Sequence, residues 1–460
     1  MHHPASRALL ASAVSGVLCL FGAVLSSAQA GALLATGPVS PKPASGTPQL
    51  AQTGNTTEIV RQLVQCGGTM YAVGSFTKIE WNGTVYPRNN IFSFSATAPF
   101  AVTRWNPGAN GRVNSITFSG SSCADAYIGG AFSTVHGTKV TDIAEISTST
   151  GGVITTFRHA ANGQVETLLG HGGHILAGGF YTSINGQQSD KYMTSLNPVT
   201  GADDGYLHLN ISGNYQFPGA APNPTRVYNQ QLSHGGTLDL VEGDFTTVGG
   251  HARQQAFMLS LGASSATVTG WTSSEFDQHC VTGHPFYVQG GSWSPGDSTV
   301  YFATTGFHPL TGGKVAGGLC DVAVAFPATQ APVHHTWTNY TGCWSLYSTA
   351  ADPWAVYIGG HEEYANNPGG CKTAGPGAVP DPGLGGINPT SGLVLRNSKG
   401  TAGRYSRSRG EGADDMLLTG AGLWVASDNG VYSGGRFHLS DTCGGVHGHA
   451  GICFLPYGQG

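Results

Sequence analysis

The sequence has few charged residues and no concentration of charge of either sign. Asp, Glu, Lys and Arg make up 10% of the 460 residues, whereas an average globular domain has about 25%. No run of Lys and Arg occurs and the formal net charge is −5, so the basic footprint of a nucleic-acid-binding protein is absent. Hydrophobic residues still make up 40% of the chain and aromatic residues 10%, which is enough to form a large core. We therefore expect a folded protein with no nucleic-acid partner.

Long hydrophobic runs are missing beyond the N-terminus. Residues 8–25 are mostly apolar, follow Arg7 and precede Ala28-Gln29-Ala30, which is the pattern of a secretory signal peptide with its cleavage site. The run is short for a membrane span, and no later stretch reaches the length of one. We therefore predict a signal peptide over residues 1–30, a secreted extracellular protein and no membrane span. A single N-terminal membrane anchor is the alternative.

Several motifs of catalysis and metal binding are also absent. The chain has no G-x-S-x-G nucleophile elbow and no C-x-x-C pair, so neither a hydrolase elbow nor a common zinc site is indicated. Glu362-Glu363 and Asp414-Asp415 are adjacent carboxylates, which a strand would direct to opposite faces, although one from each pair could meet across one face of the fold. The many Tyr and His residues show no spacing that selects a set of copper ligands. We predict no cofactor and favour a protein that is not an enzyme, with a bound metal ion as the alternative.

Cysteine is scarce but even in number once the signal peptide is removed. Loss of Cys19 leaves eight, which in an exported chain indicates disulfides. Cys443 and Cys453 flank one predicted hairpin and are the pair that we favour. Cys66 and Cys123 occupy matching turns of neighbouring repeats and are predicted to link them.

Glycine is abundant, with 71 residues, and much of it belongs to a phrase that recurs along the chain. The phrase is a short apolar run, a glycine pair or its remnant, and an aromatic residue. Its clearest copies are Met70 to Phe76, Ala126 to Phe132, Ile175 to Phe180 and Leu240 to Phe245, and weaker copies begin at Tyr301, Val356 and Leu423. Such recurrence is typical of a repeat fold.

Each repeat contains four strand-like segments, of which the phrase is the second. The first strand of each repeat is predicted to begin near Ile59, Val113, Val165, Val227, Phe286, Trp344 and Asp414. The seventh repeat stops before a fourth strand, and residues 48–57 have no repeat of their own. We therefore predict an all-β fold, a seven-bladed β-propeller of four-stranded antiparallel blades over residues 55–460. A solvated Pro/Ala/Ser-rich linker, residues 31–54, ends in the strand that completes the last blade.

The repeats resemble the delta-60 repeat family of exported bacterial β-propellers, a relative of Kelch-like folds. The matching residues are the four glycine-aromatic phrases and the Thr/Ser-rich runs after three of them, Phe76 to Ile79, Phe132 to Val135 and Phe245 to Val248. The repeats of fungal cortical polarity-marker proteins are also similar. The resemblance implies a propeller, but it carries no activity or catalytic residue set to this chain.

One set of polar residues follows from aligning the first strands. Each first strand has an apolar, aromatic or acidic residue at its leading position, which is Val60 in the first repeat. The residue that follows the leading position is polar and is not the same in every repeat, which would suit an asymmetric ligand at the propeller axis. This set is Arg61, Asn114, Glu166, Tyr228, Tyr287, Ser345 and Asp415. His361 and Glu362 replace the usual aromatic in the sixth repeat, before a long Gly/Pro loop over residues 366–384, and are added as candidates.

The function that we predict from these features is binding without catalysis. The expected ligand is an extracellular polysaccharide or a cell-envelope glycan, and a monomer is expected. Two other classes are open. One is a secreted carbohydrate-active enzyme, namely a glycosidase, lyase or copper oxidase. The other is a structural scaffold of the cell envelope that binds proteins.

Overall fold

The computed structural model describes most of the chain. The described residues are 35–51, 56–188, 190–214, 223–278, 280–281, 283–307, 310–311, 314–315, 318–405, 412–429, 443, 446 and 448–458. The predicted signal peptide lies outside them. Within these ranges the regular structure is β, apart from one 3-10 turn at Ser274–Phe276, so the all-β prediction is confirmed. No helix in the described part of the chain is long and apolar enough to cross a membrane.

Seven antiparallel sheets follow one another along the described residues, and each is built from an inner, a second and a third strand in that order. The inner strands are Ile59–Cys66, Arg112–Phe118, Val165–His171, Arg226–Leu232, Val288–Trp293, Leu346–Ala351 and Ala413–Thr419. The second strands are Thr69–Ser75, Asp125–Ala131, His174–Gly179, Leu238–Asp244, Thr299–Thr304, Val356–Gly360 and Gly422–Ser427. The third strands are Ile91–Ser95, Ile143–Ser147, Met193–Leu196, Ala256–Leu261, Val322–Pro327, Gly385–Ile387 and Ile452–Pro456.

The predicted fourth strand is complete in only two of these sheets. Ala266–Val268 and Trp337–Tyr340 form it in the fourth and fifth sheets. In four others it is reduced to a single bridge, which joins Phe94 to Val102, Ile146 to Val153, Leu196 to Asp203 and Ile387 to Val394. The prediction of uniformly four-stranded blades is therefore too regular.

Small hairpins lie between the second and third strands of five sheets and are separate from the main ladders. They are Lys78–Trp81 with Thr84–Pro87, Thr134–Val135 with Thr138–Lys139, Thr247–Val248 with His251–Ala252, Leu310–Thr311 with Lys314–Val315, and Tyr364–Ala365 with Val379–Pro380. The Thr/Ser-rich runs of the repeat phrase form the first strands of the first three of these hairpins.

The hydrophobic core is divided into clusters that lie between successive sheets. Between the first two sheets Tyr71 packs edge-on to Trp105 with ring centroids 5.3 Å apart. The last sheet packs against the first in the same way, since Trp424 lies 5.5 Å from Phe94 and 5.6 Å from Phe100 between ring centroids. Burial of such aromatic rings dominates core energetics, so each sheet depends on its neighbours for stability.

The N-terminal segment runs beside the third strand of the last sheet. The backbone N–H groups of Ser40 and Ala44 donate to the carbonyls of Pro456 and Phe454, and Val39 forms a bridge with Tyr457. Val39 is fully buried, and Leu50 is 2% exposed. The described part of the predicted linker is therefore packed against the protein at Val39 and Leu50, whereas Lys42 and Ser45 are exposed. The contacting residues begin at position 39, earlier than the predicted 48–57, while Gln49–Leu50 pairs with Lys78–Trp81.

Four disulfides join described cysteines. Cys66 pairs with Cys123 and Cys443 with Cys453, the two pairs predicted from the sequence. The other two are Cys280–Cys320 and Cys343–Cys371. The first of the four links neighbouring sheets, as the matching turns suggested. The Cys343–Cys371 bond fixes the long Gly/Pro loop that follows Glu362.

The two glycines of the repeat phrase make different close contacts. A Cβ on Gly130 would overlap the carbonyl of Arg112 in the inner strand of its own sheet, and one on Gly74 would overlap that of Ile59. A Cβ on Gly129 would instead overlap Val165 of the next sheet. The second glycine of the pair is therefore needed for strand pairing within one sheet, and the first glycine is needed for packing between two sheets.

We predict that Gly74→Ala destabilises the protein by about 2–4 kcal/mol, because the inner strand cannot move away without breaking its ladder. Gly68→Ala is the matched control in the same sheet, since no atom lies within 4 Å of its Cβ position. Thermal unfolding followed by circular dichroism measures both. Equal melting temperatures for the two variants would show that the close approach at Gly74 is not a constraint.

Candidate functional site

The inner strands enclose a cavity of about 520 Å³. Residues from all seven of them line it, so every sheet contributes to one common space. The lining is mostly polar and comprises Ile59, Arg61, Gln62, Asn114, Ser115, Glu166, Thr167, Tyr228, Asn229, Gln231, Gln289, Gly290, Gly291, Tyr347, Ser348, Thr349, His361, Asp414 and Asp415.

Each inner strand carries a shift in its pairing register near its start, where one residue has no partner on the second strand. A β-bulge of this kind bends a strand and redirects a side chain. The unpaired residues are Arg61, Asn114, Glu166, Tyr228, Gln289, Tyr347 and Asp414. All seven line the cavity, and only tyrosine occurs twice among them.

The residue after the bulge often connects its sheet to a neighbouring sheet. The Ile116 N–H donates to Gln62 Oε1 at 2.7 Å, and the Leu168 N–H donates to Ser115 Oγ at 3.0 Å. At the junction of the last and first sheets, the Leu63 N–H donates to Asp415 Oδ2 at 3.0 Å. The bulged residue therefore faces the cavity while its successor holds adjacent inner strands together.

Charged side chains of both signs meet at the cavity. Arg61 Nη1 lies 3.8 Å from Asp414 Oδ1, across the same junction. Asn114 Nδ2 donates to Glu166 Oε2 at 2.7 Å. Burial raises the pKa of Asp415 from its usual value near 3.8 to about 6, because a carboxylate removed from bulk water is less favourable than the neutral acid.

One hydroxyl in the lining lacks a partner. The Tyr228 hydroxyl is buried without a hydrogen bond to any described residue, and Arg226 lies over the Tyr228 ring at 5.6 Å from its centroid. An unsatisfied buried hydroxyl is costly, and because this one has no accessible surface, Tyr228 meets the cavity through its ring. On the other side of the cavity, Tyr347 Oη and His361 Nδ1 lie 3.0 Å apart.

Most of the predicted ligand-binding residues line the cavity, but three, Tyr287, Ser345 and Glu362, do not. Arg61, Asn114, Glu166, Tyr228, Asp415 and His361 lie in its wall. Tyr287 precedes its inner strand and accepts a hydrogen bond from Asn223, outside the cavity. Glu362 is fully buried and lies outside the cavity lining, although its neighbour His361 belongs to that lining.

The misplaced residues have a common cause. The fifth and sixth inner strands begin at Val288 and Leu346, two residues later than predicted, so Gln289 and Tyr347 take the places assigned to Tyr287 and Ser345. Ser345 instead donates to Asp321 Oδ1 at 3.0 Å. In the seventh strand the shift is one residue, and Asp414 is the bulged residue in place of Asp415.

A second cavity of about 380 Å³ is lined from the second and third sheets, among others by Asp125, Tyr127, Glu145 and Val199. The Tyr127 hydroxyl lies 3.0 Å from Glu145 Oε1. Burial, and then the nearby negative charge of Asp125, raise the pKa of Glu145 to about 7. No group of three or more His, Cys, Asp and Glu side chains is placed to hold a metal ion among the residues that the structure describes.

Comparison with known proteins adds little to this geometry. No protein-family model matches the chain, and no curated protein matches it. Solved structures that resemble it include U3-55K, at 9% sequence identity and a TM-score of 0.49, with 90% of this chain and 100% of that chain covered. They also include the RRP9 WD40 repeats, at 10% identity and a TM-score of 0.47, with 90% of this chain and 98% of that chain covered. The WD40 β-propeller domain of Doa1 aligns at 11% identity and 0.41 over 83% and 95%. Likenesses this distant carry no argument about function.

We predict that Asp415→Asn makes the protein's stability less dependent on pH. Because folding raises the pKa of Asp415, this group contributes its full stability below pH about 4 and loses it as the pH rises through about 6. The variant should gain about 1–3 kcal/mol relative to the wild type between pH 4 and pH 7.5, with cavity water moderating the effect. Denaturant unfolding at both pH values measures it. An unchanged difference at the two pH values would contradict the raised pKa, and Asp277→Asn, a substitution at an exposed residue, is the control.

Proposed function

We propose that this chain is an exported seven-bladed β-propeller whose central cavity binds a glycan without catalysing a reaction. The observation that carries the proposal is the set of seven bulged residues. They come from equivalent positions in successive sheets, they are polar, and they converge on one cavity. A scaffold that repeats its backbone but varies this one side chain is suited to an asymmetric, hydrogen-bonding ligand.

The proposed ring closure rests on contacts between the ends of the chain. The last sheet packs on the first through Trp424, Phe94 and Phe100. Val39 forms a β-bridge with Tyr457, directly after the third strand of the last sheet. In four other sheets the third strand forms its single bridge to the fourth segment at a similar position. We infer that the N-terminal segment supplies the outer edge of the seventh blade. Closure of this kind leaves only short, protected sheet edges.

A glycan is the ligand class that best fits the chemistry of the cavity wall. Amide groups of Asn114 and Gln289, hydroxyls of Ser115 and Thr349 and the carboxylate of Glu166 can donate to or accept from sugar hydroxyls. Tyr228 and Tyr347 add aromatic surface. The three cavity carboxylates, Glu166, Asp414 and Asp415, disfavour a polyanionic ligand by repulsion.

Export is supported by the four disulfides, which are compatible with an extracellular location. Membership of the delta-60 repeat family stays a prediction from the glycine-aromatic phrases. The absence of a catalytic step is the remaining part of the proposal. The second candidate function is a glycosidase, because the carboxylates of Glu166 and Asp414 come from different sheets and reach the same cavity.

We predict that Tyr228→Leu weakens binding of a soluble oligosaccharide by about 2- to 10-fold, because the ligand loses the aromatic ring that lines the cavity, whereas the Tyr228 hydroxyl itself is buried out of reach. Tyr287→Leu is the matched control, since Tyr287 lies outside the cavity lining. The purified chain is first tested for retention on insoluble polysaccharides and on peptidoglycan, and fragments of whichever is retained are used for calorimetric titration of both variants.

Soluble sugars are assayed in the same tubes. Retention without release supports the proposed function if Tyr228→Leu weakens the retention more than Tyr287→Leu does. Release of sugars that Glu166→Gln abolishes would replace it with the glycosidase. Absence of both retention and release would contradict glycan binding and favour a protein partner.

A further inference from the structure

Glu362 is a buried carboxylate at a position of the repeat where other sheets have an aromatic residue. It lies two residues after Gly360, which pairs with Leu346 in the inner strand of the sixth sheet. The residues at the same register in the first four sheets are all buried aromatics, namely Phe76, Phe132, Tyr181 and Phe245. The sixth sheet therefore replaces a core aromatic ring with a carboxylate that is fully buried.

Asp381 occupies the facing position, which backbone hydrogen bonds define. The Asp381 N–H donates to the carbonyl of Glu363, just as Arg88, Val140 and Arg253 donate to the residue after their aromatic in other sheets. Asp381 is also fully buried. A Phe–Arg or Phe–Val pair in three sheets has thus become a Glu–Asp pair in the sixth.

Neither carboxylate has a partner in any other residue that the structure describes. All four carboxylate oxygens of Glu362 and Asp381 are buried without a hydrogen bond, and neither side chain forms an ion pair with any residue that the structure describes. The Asp381 carboxylate lies between Gly385 and Gly403, where a Cβ on either residue would overlap it. Glycine at both positions therefore leaves the space that the Asp381 carboxylate fills.

Two adjacent carboxylates cannot both stay ionised in a dry interior unless a cation compensates them. Burial raises the pKa values of Glu362 and Asp381 well above their usual range, and the negative charge of Glu362 raises that of Asp381 further. Both raised pKa values show that the ionised carboxylates are unfavourable where they lie. A divalent cation would neutralise both groups and satisfy their orphaned oxygens.

We propose that Glu362 and Asp381 together bind a divalent cation, with Ca²⁺ as the ion that fits best. Only oxygen donors are present, which suits a hard cation. The described residues supply no third acidic, His or Cys ligand, so backbone carbonyls and water complete the coordination. Ca²⁺ accepts such mixed oxygen shells and loses its hydration water more readily than Mg²⁺.

The bound cation would hold the base of the hairpin Tyr364–Ala365 and Val379–Pro380 against the sixth sheet. It would also fix His361, the cavity residue that directly precedes Glu362. This site is separate from the proposed glycan cavity and does not depend on it.

The test compares metal content and stability of the full chain after chelation and after addition of Ca²⁺. We expect about one Ca²⁺ per chain by mass spectrometry and a melting temperature that rises with Ca²⁺ concentration, as binding to the folded state requires. Glu362→Gln and Asp381→Asn should each abolish both effects. Glu242→Gln is the matched control, because Glu242 is an equally buried carboxylate, located on the second strand of the fourth sheet, but has Asn229 as a partner, and this variant should keep both effects.

Two outcomes would overturn the proposal. One is a wild-type chain that retains no Ca²⁺ and melts at the same temperature with chelator and with Ca²⁺, which would mean that the pair carries protons instead. The other is a Ca²⁺ response that persists in Glu362→Gln. If both site variants fail to fold, metal content and Tb³⁺ luminescence of the wild-type chain still decide the matter, since absence of bound metal there contradicts the site.

Discussion

The structure depends on one backbone feature, the bulge near the start of every inner strand. The extra residue turns toward the cavity because it has no partner in the ladder. In five sheets a glycine of the second strand lies where a Cβ would overlap the inner strand just before the bulge, as at Gly130 beside Arg112. The glycine that dominates the sequence pattern and the side chain that lines the cavity are therefore two consequences of the same distortion.

The strands could be predicted where the glycine phrase is intact, and less well where it is degraded. Val113 and Val165 were placed correctly because Gly130 and Gly179 mark the opposite strand. In the fifth sheet Thr304 replaces the glycine. Phe286 and Val288 are both apolar and two residues apart, so strand alternation fits either as the leading residue. The sequence pattern alone cannot choose between two registers that leave the same face buried.

The candidate site was predictable in its location but not in the contacts of each residue. Equivalent positions in a repeat point to the same region, which is why Arg61, Asn114, Glu166 and Tyr228 lie in the cavity wall. The phrase itself was misaligned in the third repeat, where Tyr181 is the buried aromatic and Phe180 is 43% exposed. Glu362 was visible as a replacement for that aromatic, but only the register places it in the core with Asp381, away from His361.

The cavity and the junction between the first and last sheets are physically coupled. Arg61 and Asp414 approach each other across that junction, and Asp415 accepts the Leu63 N–H there. Between other sheets the residue after the bulge uses a neutral group, as Gln62 does with Ile116 and Ser115 with Leu168, although Glu166 also accepts a hydrogen bond from Asn114 between the second and third sheets. The Arg61–Asp414 ion pair lies between the two sheets that are most distant in sequence, where chain connectivity gives no help. A ligand that changes the charge balance at Asp414 therefore acts on the contact that joins the two ends of the chain.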